Sequence, residues 1–203
     1  LGLKEGNTAL LCMPLDYIAG KMVCVRAFTH GLRLVVVKPS AHPFETLTTA
    51  PTFAAMTPMQ VFETLKVPRE RALLREVGQL IIGGGSISGA LAEELRDFPH
   101  PVWSTYGMTE TLSHVALRRL NGPAVDEHYK PFDGVKLSLT PDGCLRVDAP
   151  AVCPTPLETN DRAELFPDGT FRILGRKDNV ICSGGIKLQT EEIERHLAAL
   201  GVP

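Results

Sequence analysis

The sequence has no hydrophobic run long enough to cross a membrane. Its longest apolar stretches are "TALLCMPL" at 8–15 and "LRLVVVKP" at 32–39, whereas a membrane-spanning helix needs roughly 20 apolar residues. The first residues also lack the basic segment followed by an apolar segment that is typical of a secretory signal. We therefore expect neither a membrane span nor a secretory signal in these residues.

Charge of one sign and paired cysteines are also missing. The net charge is −2, which gives no electrostatic reason to expect nucleic-acid binding. The cysteines are odd in number, are scattered and form no CxxC pair, and the histidines show no HxxxH spacing. This pattern predicts a reducing, cytoplasmic setting and argues against a disulfide framework or a zinc site. The residues concerned are Cys12, Cys24, Cys144, Cys153, Cys182, His30, His42, His100, His114, His128 and His196.

Two familiar catalytic motifs fail at the glycine-rich segment "IIGGGSISG". A nucleophile elbow, GxSxG, would need a glycine two residues after Ser86, where Ser88 stands. The dinucleotide fingerprint GxGxxG is matched by Gly83 and Gly85 but not by Ser88. The glycine loop therefore gives only weak support to a nicotinamide-dependent dehydrogenase.

The first two-thirds of the chain alternates between strand-like and helix-like patterns. Strand, crossover helix and strand at this spacing predict an α/β domain with a mostly parallel sheet and flanking helices. Strands are predicted at 8–15, 32–38, 79–82 and 101–107, and helices at 20–31, 57–66, 68–78 and 88–98. Gly31 is predicted to close the first helix, and Thr57 to cap the second, with Pro58 as its first helical residue.

The pattern changes near residue 123. Segments 135–149 and 162–174 each alternate around a Pro-Asp-Gly turn, which predicts two hairpins and a small antiparallel β subdomain. The hairpins are either an internal repeat or two independent uses of a common turn. We predict three parts: 1–122 of a large α/β domain, 123–175 as its β subdomain, and 176–203 as a hinge and the beginning of a small C-terminal α+β domain.

The last part begins with "GRKDN" and continues as "VICSGGIKLQTEEIERHL". We predict a strand, a glycine loop and a helix capped by Thr190. Glu191 and Glu192 stand in the first turn, where the helix dipole favours acidic residues.

The segment "YGMTE" at 106–110 combines groups that suit a nucleotide and its metal. The ring of Tyr106 can stack on a purine, and the hydroxyl of Thr109 can donate to a phosphate oxygen. The carboxylate of Glu110 is a hard oxygen ligand of the kind that Mg²⁺ takes beside a phosphate. Taken alone, the same residues also fit a turn that ends a strand.

Three further segments follow in order: "TNDR", "GRKD" and "CSGGIK". The carboxylate of Asp161 can accept both ribose hydroxyls, and Arg176 can reach the same sugar. Segment 106–110 and these three segments together resemble motifs of the adenylate-forming superfamily, which includes acyl-CoA synthetases, peptide-synthetase adenylation domains and luciferases. The family motif aromatic-Gly-x-Thr-Glu is matched at 106–110, Thr-x-Asp at 159–161, GRxD at 175–178 and the SGG loop at 183–185.

The resemblance implies a function and a set of residue roles. It implies ATP-dependent activation of a carboxylic acid to an acyl-adenylate, then thioester formation with CoA, with ATP and Mg²⁺ required. Thr109 and Glu110 would be catalytic, Glu110 would bind the metal, and Asp178 would be the hinge. The nucleotide would bind to Gly83, Gly84, Gly85, Tyr106, Gly107, Thr109, Asp161 and Arg176. The CoA step would use Gly184, Gly185 and Lys187.

The acid pocket departs from the common family pattern. Many relatives carry an aromatic-His pair after the early strand, where this chain has Asp16 and Tyr17. By the resemblance, Arg26 and His114 fall in the acid pocket and Lys21 is a second cation close by, so these three are the predicted acid-substrate residues. Arg26 stands where o-succinylbenzoate–CoA ligases of menaquinone biosynthesis place an arginine for a second carboxylate, and the resemblance favours that ligase group. Another acid–CoA ligase or an adenylation domain remains an alternative, and so does a plain surface role for the two cations.

Two motifs of the family are missing from the 203 residues. The phosphate loop ending in lysine would precede Leu1, and the catalytic lysine of the small domain would follow Pro203. We therefore expect the chain to be a fragment of a longer enzyme that does not turn over by itself. A non-catalytic fragment that binds AMP or an acyl ligand is the alternative from another class.

Overall fold

The computed structural model describes residues 1–123, 125–183 and 186–200. The chain forms two compact units, Leu1–Glu127 and His128–Pro203. The predicted separation of 176–203 as the start of another domain stays a prediction. Among the described residues, none of the helices has the length and apolar character needed to cross a membrane.

The first unit is built on a mostly parallel sheet, which confirms the predicted fold class. Its strands lie in the order β2-β1-β3-β4-β5-β6, with β1 to β5 parallel and β6 antiparallel to β5. The strands are β1 (Thr8–Leu11), β2 (Arg33–Val36), β3 (Phe53–Met56), β4 (Gln79–Ile82), β5 (Val102–Gly107) and β6 (His114–Arg119).

Four helices connect these strands, close to the predicted positions. Thr57 and Gln60 form a capping box at the start of α2, with Pro58 as the first helical residue. Helix α1 ends at Gly31, whose φ of 61° is left-handed and favours glycine. The helices are α1 (Ile18–His30), α2 (Pro58–Lys66), α3 (Pro68–Arg75) and α4 (Gly89–Leu95).

The sheet is covered on both faces, because alternate residues of a strand point to opposite sides. One face packs Leu10, Met56 and Ile82 with apolar residues of α2, α3 and α4. The other packs Phe53 and Ile81 with apolar residues of α1. This burial on both faces explains why the strands are short continuous apolar runs, as in other parallel sheets.

Strands β3 and β6 are absent from the predicted set. Strand β3 is "FAAM", in which two alanines have low β propensity, although the structure buries all four residues. Strand β6 follows a tight turn after β5 and returns antiparallel to it. Both strands are specified by the partners beside them more than by their own residues.

The second unit contains the two predicted hairpins, which join into one antiparallel sheet in the order β11-β10-β9-β8. Gly143 and Gly169 turn the hairpins at φ values of 76° and 82°. The sequence prediction lacked β13, which pairs antiparallel with β12. The elements are β7 (Lys130–Pro131), β8 (Lys136–Leu139), β9 (Cys144–Asp148), β10 (Leu157–Leu165), β11 (Phe171–Arg176), β12 (Val180–Ser183), β13 (Ile186–Gln189) and α5 (Thr190–Ala199).

Candidate active site

A cavity of about 250 Å³ lies at the carboxyl ends of β1, β3, β4 and β5 in the first unit. This edge is where ligands bind in open α/β sheets. Much of the wall is apolar, and four of the five methionines of the chain line it: Met13, Met22, Met56 and Met108. The polar side chains in the lining are Arg26, Thr57, Thr105, Thr109, Ser113 and His114. We call this space the strand-end cavity.

The predicted glycine loop reaches the strand-end cavity at Gly83 and Gly84, whereas Gly85 is not among the lining residues. A Cβ on Gly83 would lie 2.2 Å from Oγ1 of Thr105, so a larger residue would displace that side chain. Gly84 has a φ of 78°, which disfavours any side chain. The two glycines leave backbone open to a ligand at this edge.

The segment 106–110 runs from the end of β5 into a short turn, Thr109–Thr111. Thr109 lines the strand-end cavity and is exposed. Glu110 is also exposed, while Tyr106 is half-buried and is not among the lining residues. The structure therefore brings Thr109 together with Gly83 and Gly84 and leaves the Glu110 carboxylate open to solvent.

Gly107 is required by close backbone packing, since β6 returns directly beside it. A Cβ there would lie 2.3 Å from the Ser113 carbonyl oxygen and 2.4 Å from Cα of His114. Gly107→Ala should therefore destabilise the fold by about 2 kcal/mol, because neither backbone group can move away cheaply. The free energy of unfolding in urea measures this change.

Gly89→Ala is the matched control for that substitution. A Cβ at Gly89 meets nothing within 4 Å, and the residue begins α4. Alanine there should be neutral or stabilising by less than about 1 kcal/mol. Equal effects of the two substitutions would show that the contacts at Gly107 do not constrain the loop.

Arg26 reaches the strand-end cavity from α1. Its guanidinium lies over the ring of Phe53, with Cζ 5.0 Å from the ring centroid. Burial lowers the pKa of Arg26, yet a guanidinium stays charged in proteins. Gly20 allows α1 to lie close to the loop that follows β1, since a Cβ there would lie 2.3 Å from the Pro14 carbonyl oxygen. A fixed positive charge therefore lines an otherwise mostly apolar wall.

His114 lines the same cavity at the start of β6. Burial, followed by the positive charge of Arg26, lowers the pKa of His114 to about 4. The imidazole is therefore neutral at pH 7, and its Nδ1 lies 3.2 Å from the hydroxyl of Ser113. The cavity thus offers one permanent cation and one neutral ring, which suits an anionic ligand with an apolar body.

The low pKa of His114 predicts a loss of stability in acid. The folded-state pKa of about 4 lies below the ordinary 6.5, so below pH 6.5 the unfolded chain binds the proton more readily. The free energy of unfolding should fall by about 2 kcal/mol from this group between pH 6.5 and pH 4, and His114→Asn should remove that part. Urea unfolding at pH 7.5 and 4.5 measures it, with His30→Asn at the exposed end of α1 as control. An unchanged pH dependence in His114→Asn would contradict the assignment.

Lys21 is not brought to the strand-end cavity. It is exposed on α1 and is not among the lining residues, and the nearby Asp16 and Tyr17 are exposed as well. Of the three predicted acid-substrate residues, the structure brings together Arg26 and His114 only.

The predicted ribose and hinge residues form a polar cluster within the second unit. Asp161 on β10 lies opposite Arg176 on β11, and Nη1 of Arg176 is 3.4 Å from Oδ1 of Asp161. The other terminal nitrogen of Arg176 donates to Oδ2 of Asp178 at 2.9 Å. Asn160 donates to the same oxygen at 3.2 Å. The guanidinium thus contacts both carboxylates at once.

The residues predicted for the CoA step are only partly described. Gly184 and Gly185 lie outside the described residues. The backbone of Lys187 lies in β13 opposite Cys182, and its side chain lies outside the description. Their roles stay predictions.

The sequence prediction missed several lining residues. Thr57 was predicted only as a helix cap, although the cap of α2 follows β3 directly and so stands at the strand-end edge. Leu112 and Ser113 were also missed. They could have been predicted from their position, since they lie in sequence between the Thr109-Glu110 pair and His114. The methionines carry no local signal, because thioether side chains are common in cores.

Comparison with known proteins identifies the family of the chain. A family model described as AMP-binding enzyme matches residues 1–140. The 2-succinylbenzoate–CoA ligase of Escherichia coli K12 is 30% identical over 203 residues, covering 94% of this chain and 43% of the relative. An acyl-CoA synthetase (AMP-forming)/AMP-acid ligase II-like protein from Dyadobacter fermentans is 37% identical with a TM-score of 0.80, covering 98% of this chain and 57% of that structure.

A further solved structure is a variant of Escherichia coli MenE with bound OSB-AMS. It is 25% identical with a TM-score of 0.78, and the match covers 98% of this chain and 46% of that one. The first unit is an α/β sheet covered on both faces, with a cavity at its carboxyl edge. The chain belongs to the AMP-binding enzyme family. It spans less than half the length of the curated relative described above.

Proposed function

We propose that the protein activates a carboxylic acid with ATP and transfers the acyl group to CoA. The acid carboxylate attacks the α-phosphorus, pyrophosphate leaves, and an acyl-adenylate forms. The CoA thiol then attacks the acyl carbon, losing its proton, and AMP leaves with its phosphate oxygen. The observation that carries the proposal is the strand-end cavity itself, where Arg26 and His114 share one lining with Thr109, Gly83 and Gly84.

The acid that fits best has an apolar body and a second carboxylate. A guanidinium binds a carboxylate through two parallel hydrogen bonds, and the neutral imidazole of His114 can donate one more. The methionine-rich wall suits an aromatic ring, because thioether sulfur packs favourably at ring edges. We therefore propose o-succinylbenzoate as the acid, which agrees with the name of the relative that is 30% identical. That reaction would place the protein in menaquinone biosynthesis.

The nucleotide-binding roles rest on the match of each residue to the family motifs. In the first unit, Gly83, Gly84, Gly85 and Gly107 would form the backbone beside the nucleotide. Tyr106 would stack on the adenine, and Thr109 would donate to the α-phosphate. In the second unit, Asp161 would accept the ribose hydroxyls with Arg176 beside it.

Glu110 would hold Mg²⁺ next to the phosphates. The described residues contain no group of three His, Cys, Asp or Glu side chains able to hold a metal. One exposed carboxylate still fits Mg²⁺, which binds through one or two carboxylates and takes its other ligands from phosphates and water. When bound, the ion supplies positive charge that offsets the charge developing on the phosphates.

The remaining roles concern the second reaction step. Asp178 would be the hinge at which the small domain rotates between the two steps. Gly184 and Gly185 would line the path of the thiol, and Lys187 would lie near phosphate. The motif matches support these roles, and Asp178→Pro tests the hinge. It should slow thioester formation while leaving pyrophosphate release in place, and equal losses in both steps would argue against a hinge.

A cytoplasmic location is proposed from the cysteines. Cys12, Cys24, Cys144 and Cys153 are free thiols in the structure, and free thiols suit a reducing compartment. Cell fractionation with an antibody to the protein tests this, and recovery outside the cytoplasm would overturn it.

The test of the function is acid-dependent release of pyrophosphate from ATP by the protein expressed from its complete reading frame. The panel contains o-succinylbenzoate, benzoate, acetate and a long-chain fatty acid. Release with o-succinylbenzoate alone supports both the chemistry and the acid. Release with another acid keeps the chemistry and overturns the acid. If no acid causes release but the protein still binds AMP, the proposed enzymatic activity is overturned in favour of a binding protein.

A further inference from the structure

Leu112 has a strained backbone at the edge of the strand-end cavity. Its φ is 60° and its ψ is −37°, and among the described residues it is the non-glycine residue with positive φ. The N–H of Ser113 donates to the carbonyl of Thr111 at 2.6 Å. A three-residue turn of this hand is rare and strained, because Cβ crowds the neighbouring backbone.

The side chain of Thr111 holds this turn in place. Thr111 is 1% exposed, and its hydroxyl accepts the N–H of Met108 at 3.1 Å. The same hydroxyl can donate to the carbonyl of Met108 at 3.0 Å or of Ser113 at 2.7 Å. Strained backbone persists only when its surroundings over-determine it, and this buried hydroxyl provides that restraint.

The turn determines what reaches the strand-end cavity. Leu112 lines the cavity, and so do Thr109, which precedes it in the sequence, and His114, which follows it. Leu112 remains 46% exposed, so the strained backbone does not serve to bury this residue in the core. Backbone strain that gains no core packing is typical of functional positions.

We propose that Leu112 is a specificity-determining residue that contacts the apolar body of the acid, and that the strained turn is kept because it presents Leu112 to the ligand. This inference rests on the proposed function. Because the contact is made by an unreactive part of the acid, it stabilises the bound acid and the transition state alike. Leu112→Ala should therefore raise KM for the acid about tenfold with little change in kcat.

The experiment compares Leu112→Ala with Leu112→Gly in the protein expressed from its complete reading frame. Both variants remove the side chain, but only glycine removes the Cβ that causes the strain. Both should show the raised KM and a weaker discrimination between o-succinylbenzoate and bulkier aryl acids. Leu112→Gly should melt at a higher temperature than Leu112→Ala. At an unstrained position the order is the opposite, because glycine gives the unfolded chain more freedom.

Leu112→Met controls for the size of the side chain and should keep KM within about threefold of the parent, since the volume is conserved. An unchanged KM in Leu112→Ala, with pyrophosphate release intact, overturns the inference and leaves the proposed function standing. A lower melting temperature for Leu112→Gly than for Leu112→Ala overturns the strain. If the parent protein releases no pyrophosphate with any acid, the proposed function fails and the substrate role fails with it. The order of the melting temperatures of Leu112→Gly and Leu112→Ala still tests whether the backbone at Leu112 is strained.

Discussion

Glu110→Gln should slow pyrophosphate release about 100-fold or more, which is the size of effect seen when a charge-stabilising group is removed from a transition state. The amide keeps the shape of the side chain but loses the negative charge that would hold Mg²⁺. Because Glu110 is exposed, the substitution should leave the free energy of unfolding within about 0.5 kcal/mol of the parent. Initial rates at saturating ATP and acid, over a range of Mg²⁺ concentrations, measure the effect.

Glu76→Gln is the matched control, since Glu76 is an exposed carboxylate at the end of α3. It should keep the parent rate and the parent dependence on Mg²⁺. Partial recovery of Glu110→Gln at high Mg²⁺ would support a metal ligand. A parent-like rate in Glu110→Gln would remove the metal role from this residue.

Arg26→Ala should lower kcat/KM for an acid with two carboxylates about 100-fold, or about 2.7 kcal/mol. The reason is that the second carboxylate would enter a largely apolar cavity without its cation. For benzoate, which has no second carboxylate, the loss should be less than about threefold. The comparison of the two acids in the pyrophosphate assay isolates the charge pair from any general damage to the cavity.

Arg26→Lys separates charge from geometry. Lysine keeps the charge but lacks the planar fork, so an intermediate loss of about tenfold is expected. Arg96→Ala is the matched control, because Arg96 is exposed and forms an ion pair with Glu93 at the surface. Equal losses of kcat/KM with both acids in Arg26→Ala would indicate that Arg26 supports the fold of the cavity and does not bind the second carboxylate.

The fold was predictable where local residue types decide it. The cap at Thr57, the stop at Gly31 and the Pro-Asp-Gly turns each fix the backbone by their own chemistry, and the structure confirms all of them. Strand β3 was not predictable in this way, because "FAAM" becomes a strand through its pairing with β1 and β4. Interactions between segments distant in sequence leave little trace in either segment alone.

The residues of the candidate site also differ in whether the sequence alone could predict them. Thr109 and Glu110 are recognisable from sequence because a motif carries them, whereas the contribution of Leu112 depends on a turn angle that no local pattern specifies. Lys21 and Arg26 looked equivalent in sequence. They differ because five residues on a helix correspond to about 500° of rotation, which sets the two side chains on faces about 140° apart. Only one of those faces meets the cavity.

The four methionines of the cavity wall also determine how the site would respond to oxidants. Peroxide converts a thioether to a sulfoxide, which is polar and chiral. One such oxygen in the apolar wall would disfavour an aromatic ring while leaving the exposed carboxylate of Glu110 and the polar cluster of Asp161, Arg176 and Asp178 unchanged. Oxidation of these methionines should therefore weaken binding of the acid, and reduction of the sulfoxides should restore it.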